Sequence, residues 1–404
     1  MTALQEKWIV DCSIYVDQRY ARPKHSSETF NEETVVRTHK NCTASGLEGV
    51  VVAQTDLSEV DGEAGRLIIG DHSIEDLTGH VSFEDVCALL WNGALPSDAA
   101  RAELQDQLGK ARVAAASLLP NISAAVSLPD GMDALRTAVA HLPLLGDVNN
   151  AAVVGAAGVF AAAWQRRQQG LAAVPPDPSL PFAADYLRMI TGVSPTESQT
   201  RGMNAYLVTV SDHGLNASTF AARVTTSTGS DLVSSIVAAI CTLKGPLHGG
   251  APGPVLDMLD AIGTPENAAA WIENELRSGR RIMGMGHRIY RVRDPRAAVL
   301  ERAVSSLEQA GLSSSRLALA RAVERVAESA LAAKYPDRPL RANVEFYTAV
   351  LLDSVGLPRT LFSPTFGVSR SAGWCAHVAE QRAVGKLIRP ASRYVGAVQP
   401  VVHA

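Results

Sequence analysis

Aromatic residues make up only 5% of the 404-residue chain, and charged residues only 19%. Scarce aromatics argue against a β-sandwich, because strands are rich in aromatic and β-branched side chains. The five cysteines (Cys12, Cys42, Cys87, Cys241 and Cys375) are odd in number, widely spaced and contain no Cys-x-x-Cys pair. That pattern reads as reduced thiols in a cytosolic protein and against a zinc site. A net charge of −4 supplies no field that would gather nucleic acid. The longest apolar run, AAVVGAAGVFAAAW at 151–164, is short of the ~20 residues that cross a bilayer. Its small residues suit a tightly packed, buried helix. MTALQEKWIVDCSIYV at the start carries Glu6, Lys7 and Asp11 where a signal peptide would be apolar. The expectation is a cytoplasmic protein without a membrane segment or export signal.

Hydrophobic residues are plentiful at 47%, and alanine is abundant. This favours closely packed helices. The length suits two domains, or one large domain with a second lobe. Residues 1–45 are polar and irregular and read as an extension. GLEGVVVAQTDLSEV (46–60) alternates enough to suggest a short hairpin. SFEDVCALLWNG (82–93) predicts a helix capped by Ser82, favoured at its positive end by Glu84 and Asp85, and ended by Gly93. Residues 170–184 form a proline-rich loop. Residues 194–214 read as a helix that opens at a cap and proline and stops at Asp-His-Gly. Residues 218–246 read as a long helix with a break at Gly229 and a halt at Gly245-Pro246. Helical spacing recurs over 297–333 and 345–355.

Four stretches place charge at helix ends. In SDHGLNAST (211–219), His213 and Asn216 sit where backbone groups are unpaired, as caps or as ligands. In KGPLHGGAPGPVLDML (244–259), His248 lies at a junction rich in glycine and proline, with Gly249 and Gly250 removing bulk beside it. A histidine near a helix N-terminus tends to stay neutral. It can then donate to a developing enolate oxygen, as a neutral histidine does in triosephosphate isomerase. It can equally satisfy a turn carbonyl. RSGRRIMGMGHRIYRVRDPR (277–296) holds seven arginines and one histidine. It reads as a solvated basic face or as a site for small polyanions, with MGMG exposing backbone N–H groups. One interleaved aromatic, Tyr290, gives poor support for base stacking. Asp294 and Pro295 can turn the chain so that Arg296 points back, and arginine forks bind carboxylates and phosphates. Finally, FGVSRSAGWCAHVAEQ (366–381) puts Arg370 in a helix that otherwise reads as buried. That implies a bound anion or an internal salt bridge. Arg389 follows in KLIRP.

Together, GPLHGG, GMGHRIYRVRDPR, NVEFY, FGVSR and KLIRP, in that order and spacing, resemble the citrate synthase family from about residue 46 to 396. The resemblance implies an all-α, two-domain helical fold. The large domain would comprise 46–249 and 358–404, the latter with the C-terminal tail, and a smaller mobile domain 250–357. It implies a homodimer with active sites built across subunits. The implied reaction condenses acetyl-CoA with oxaloacetate to give citrate and free CoA, without a metal or other cofactor. By position, Glu345 would be the base, His248 the neutral donor to the thioester oxygen, and His287 the group that polarises the ketone and protonates the alkoxide. His213, Asn216, His287, Arg296, Arg370 and Arg389 of the partner subunit would hold oxaloacetate. Met283, Gly284, Met285, Gly286 and Arg291 would meet CoA.

The chain departs from the family pattern twice. Glu345 stands where the family usually has aspartate, moving the carboxylate by roughly 1.5 Å at most. Pro252 stands where an asparagine is usual. Two other readings use the same residues. One is 2-methylcitrate synthesis from propionyl-CoA, which differs by one methylene, worth only ~1–3 kcal/mol of discrimination. The other is a slow or non-catalytic member that binds oxaloacetate and CoA in a regulatory role.

Overall fold

The computed structural model describes residues 46–47, 49–249, 252–311, 316–392, 394 and 396. The expected extension 1–45, with Cys12 and Cys42, lies outside the described residues, as does Gly250. The chain divides into two compact units, residues 1–54 and 55–404. In the first, the described residues form turns and irregular backbone.

In the second unit, all three strands lie within a single small antiparallel sheet, Ser58–Asp61, Arg66–Ile69 and His72–Ser73, among the described residues. Ser58 pairs with Ile69 and Asp61 with Arg66. The hairpin expected over 46–60 therefore begins at its far end. Leu67 and Ile69 supply the buried face, whereas Val50 and Val51 are exposed and form no strand. The rest of the unit is helical, as the alanine-rich composition predicts.

Local signals set the helix ends. Ser82 and Asp85 form the expected capping box for Phe83–Asn92, and Gly93 ends it in the left-handed region. Asn150–Gln168 is buried from Val153 through Gln165. The proline-rich loop ends at Pro181, since Phe182 opens a helix to Thr191. Thr196 and Gln199 box the start of Glu197–Val210. The long helix expected over 218–246 is two helices, Ala217–Ser227 and Leu232–Leu243, broken at Gly229 with φ +86. Pro252 starts the next helix, Pro252–Ile262. Further helices span Ala268–Arg277, Pro295–Gln309, Arg316–Lys334 and Val344–Ser354.

The Phe362–Val384 helix packs against Asn150–Gln168, Ala217–Ser227, Leu232–Leu243 and Glu197–Val210. Its small residues make that possible. A Cβ on Gly373 would lie 2.5 Å from both the Ser211 carbonyl and Asp212 Oδ1. Only glycine lets the turn after Val210 sit directly on this helix. No helix among the described residues is long and apolar enough to cross a membrane.

Candidate active site

Two buried guanidiniums organise the candidate site. Arg370 is 1% exposed on the Phe362–Val384 helix. Its Nε donates to the Val210 carbonyl at 2.7 Å, and its Nη2 has no hydrogen-bond partner among the described residues. Burial pulls its pKa down to about 10, against the pull of Asp212. Arg296 is 3% exposed in the first turn of Pro295–Gln309. It is held by Asp294, whose Oδ1 accepts from Arg296 Nε at 3.0 Å and whose Oδ2 accepts from Nη2 at 2.7 Å. The charges of both arginines act on His213 and on Glu345. They therefore share one small region.

Glu345 lies in the first turn of Val344–Ser354. Asn343 caps that helix through Glu345 N–H at 3.0 Å. The same asparagine reaches back to the glycine loop: its Nδ2 donates to the Gly286 carbonyl at 2.8 Å and its N–H to the Gly284 carbonyl at 2.9 Å. Asp294 Oδ2 takes Val344 N–H at 3.1 Å. One carboxylate thus aligns Arg296 and the start of the Glu345 helix together. Burial pushes the Glu345 carboxyl up to about 7; Arg296 and Arg370 oppose that rise and Asp294 adds to it. A carboxyl poised near neutral pH suits a general base.

The three histidines are held neutral. Burial and Arg370 lower His248 to about 4. Burial and Arg296 lower His287 to about 4. Burial, Arg296 and Arg370 push His213 well below the ordinary imidazole value. Their partners set the tautomers. Ser218 N–H donates to His248 Nε2 at 3.3 Å, with Ser218 Oγ at 2.9 Å. His248 therefore carries its proton on Nδ1. The N–H groups of Ile289 and Tyr290 donate to His287 Nδ1 at 3.0 and 3.1 Å. Its proton is thus on Nε2, and the 3.5 Å approach of Arg296 Nη2 to that nitrogen is a contact between two donors rather than a hydrogen bond. Tyr290, 1% exposed, links His213 and His287: its hydroxyl is 3.1 Å from His213 Nε2 and its ring centroid 4.8 Å from that of His287.

The structure thus gathers His213, His248, His287, Arg296, Arg370 and Glu345. Asn216 is the cap of Ala217–Ser227. Its Oδ1 accepts from Ser218 and Thr219 N–H at 3.1 Å, and its Nδ2 donates to Thr219 Oγ1 at 2.9 Å. Its amide is committed to the cap beside the site. Arg291 is exposed, with Nε 4.0 Å from Glu63. Arg389 is exposed in the irregular segment after Val384, and no polar contact joins it to the cluster among the described residues. The expectation that MGMG exposes its N–H groups fails at Gly286. Met285 bridges to Ala342, and Gly286 N–H donates to the Arg341 carbonyl at 2.7 Å. Gly284, at φ +73, presses on Phe346, where a Cβ would lie 2.9 Å away. The loop spends an amide on pinning itself to the Glu345 segment.

Asp294, Tyr290 and Ser218 were missed as site residues. Asp294 had a sequence signal, an acid two residues before an arginine expected to turn back. The reach of Ser218 to a histidine 30 residues away had none.

Neutral imidazoles and a carboxyl near 7, set around an arginine with a buried N–H that has no partner among the described residues, make an acid–base site suited to a small anion. The comparisons carry that further. The family model "Citrate synthase, C-terminal domain" matches residues 46–391. Citrate synthase of Haloferax volcanii is 38% identical over 368 residues, 87% of this chain and 95% of the relative. Citrate synthase 2 of Bacillus subtilis is 37% identical over 367 residues, again 87% and 95%. The solved citrate synthase of Thermotoga maritima superposes with a TM-score of 0.78 at 32% identity, covering 90% of this chain and 98% of that one. The Thermoplasma acidophilum enzyme, in ternary complex with carboxymethyl coenzyme A and oxaloacetate, superposes with a TM-score of 0.80 at 27% identity, with the same coverage. The chain belongs to the citrate synthase family and is an acyltransferase of that type.

Proposed function

We propose that this chain condenses acetyl-CoA with oxaloacetate, giving citrate and free CoA, as a homodimer. The observation that carries the reading is Arg370. It is a fully buried cation with an unpartnered Nη2, in electrostatic reach of a carboxyl at about 7 and of two neutral histidines. A dicarboxylate supplies the missing acceptors, and the chemistry around it is that of enolisation.

Oxaloacetate lies with its carboxylates on Arg296 and Arg370, completed by Arg389 of the partner subunit, and with His213 alongside. Asn216 supports that end through its cap. CoA runs along Met283, Gly284, Met285 and Gly286, with Arg291 at a phosphate. Glu345 removes a proton from the thioester methyl while His248 Nδ1–H donates to the thioester oxygen. The enol carbon attacks the ketone as the thioester carbonyl re-forms and its proton returns to His248 Nδ1; the ketone oxygen, polarised by His287 Nε2–H, takes the His287 proton as the bond forms. Water then hydrolyses the citryl thioester and CoA leaves. Each acid–base group contributes about 10²–10⁴ in rate. Residues 250–357 act as the smaller domain, closing over the acyl-CoA so that water is excluded until condensation is done. No metal or cofactor enters the scheme.

Thiol release with oxaloacetate, measured in parallel for acetyl-CoA and propionyl-CoA, tests this. A higher kcat/KM for acetyl-CoA is expected. A preference for propionyl-CoA would make the chain a 2-methylcitrate synthase. Ligand binding without thiol release would make it a binding protein.

A further inference from the structure

Beneath the site lies a buried polar chain that the reaction scheme does not use. Asp212, 0% exposed, precedes His213. Its Oδ2 accepts from Gly214 N–H at 3.1 Å and from Ser58 Oγ. Its Oδ1 meets His377 Nε2 at 3.1 Å. His377 Nδ1 faces two N–H donors of Arg223, Nε at 3.1 Å and Nη2 at 2.8 Å. Arginine only donates. His377 Nδ1 is therefore the acceptor, and its Nε2–H donates to Asp212. Arg223, 0% exposed, also faces Glu380, and its Nη1 donates to Gln381 Oε1 at 3.1 Å. Gln381 Nε2 then donates to the Lys386 carbonyl at 3.1 Å. Two residues on, Ile388 N–H donates to Ser227 Oγ at 3.1 Å, on the Arg223 helix. Arg389 is the next residue. The chain thus starts at the turn carrying His213 and ends at the segment carrying Arg389.

We propose that Asp212, His377 and Arg223 form a positioning relay that sets the His213 turn and the Arg389 segment as one unit. These residues act through others, and the proposal rests on the reading of the site as a dicarboxylate cradle. If Arg389 serves the partner's site, the relay joins the anion-binding ends of both sites in the dimer. An imidazole that accepts on Nδ1 from a buried guanidinium and donates from Nε2 to a buried carboxylate fixes both orientations, because each hydrogen bond has one donor sense only. Breaking one link leaves a buried charge short of a partner, which is costlier than losing a neutral contact.

The test combines amide hydrogen exchange with steady-state kinetics on the full-length wild type, His377→Leu and His377→Gln. In His377→Leu, exchange is expected to accelerate at 211–214 and at 386–388. KM for oxaloacetate should rise on the order of tenfold, with KM for acetyl-CoA near wild type. His377→Gln keeps a donor and an acceptor and should fall between. Unchanged exchange at both segments, or equal rises in both KM values, would overturn the relay. Acceleration at 211–214 alone would overturn its extension to the Arg389 segment. If wild type releases no thiol, the functional reading fails, and exchange alone still decides the relay. Should His377→Leu not fold, Gln381→Met replaces it. Faster exchange at 386–388 is then expected, and an unchanged rate there counts against the proposal.

Discussion

Two clusters of charge share the helix Val344–Ser354, and they are built in opposite ways. Around Tyr347 every charge is matched. Arg293 Nε donates to Glu324 at 2.7 Å and its Nη2 to Glu301 at 2.7 Å, Arg321 completes Glu301, and the Tyr347 hydroxyl donates to Glu324 at 2.6 Å. Around Glu345, two residues earlier, the charges are mismatched. Glu345 is raised to about 7, and Arg370 has a carbonyl where a carboxylate would neutralise it. Matched charges hold the structure together. Mismatched ones store a demand that a substrate meets. An orphan N–H alone does not make the difference. Arg112 also leaves Nη1 without a partner among the described residues, but its Nε sits 2.7 Å from Asp185 in an ordinary buried ion pair.

Substitutions should separate the two clusters. The largest effect is expected from Glu345→Gln, which should lower kcat by ~10²–10⁴ while the fold persists. It should also change stability in a defined direction. A carboxyl whose folded value lies above its ordinary value of 4.5, at about 7, binds its proton more tightly in the fold. Wild-type stability therefore declines as pH rises across that window, and Glu345→Gln should not show the decline. Urea unfolding at pH 5 and pH 8 reads this.

Arg370→Met should raise KM for oxaloacetate by ~10–100-fold without lowering the melting temperature, since it removes a buried, poorly neutralised charge. Arg293→Met should do the reverse. It should cost about 2 kcal/mol in unfolding free energy, between the values for exposed and buried pairs. Thiol release per folded molecule should stay near wild type. The smallest effect is on the acid side. His248 and His287, ordinarily near 6.5, lie at about 4 in the fold. The unfolded chain then binds more protons, and stability is lost as pH falls through that window. His287→Gln should flatten the acid limb of stability, measured by thermal melting from pH 4 to 7.

The helical architecture was legible wherever the signal was local. Ser82 and Gly93 bracket their helix, Gly229 breaks another, and Arg370 is buried where its neighbours are small. The hairpin was displaced because the valines at 50 and 51 meet no core. The six residues that cluster all lie in stretches that motifs single out. Their control was not: Asp294 acts on Val344, Ser218 on His248, and Asp212 on His377, across 50, 30 and 165 residues. Periodicity and capping rules see only neighbours, so contacts of that range need the fold.

The most direct test of the central claim is kcat/KM for acetyl-CoA against pH from 5 to 9, for wild type and Glu345→Gln. The account expects the wild-type value to climb to a plateau through about pH 7, the Glu345 value, and the variant to be reduced throughout without that limb. A flat wild-type profile with a fully active Glu345→Gln would contradict it.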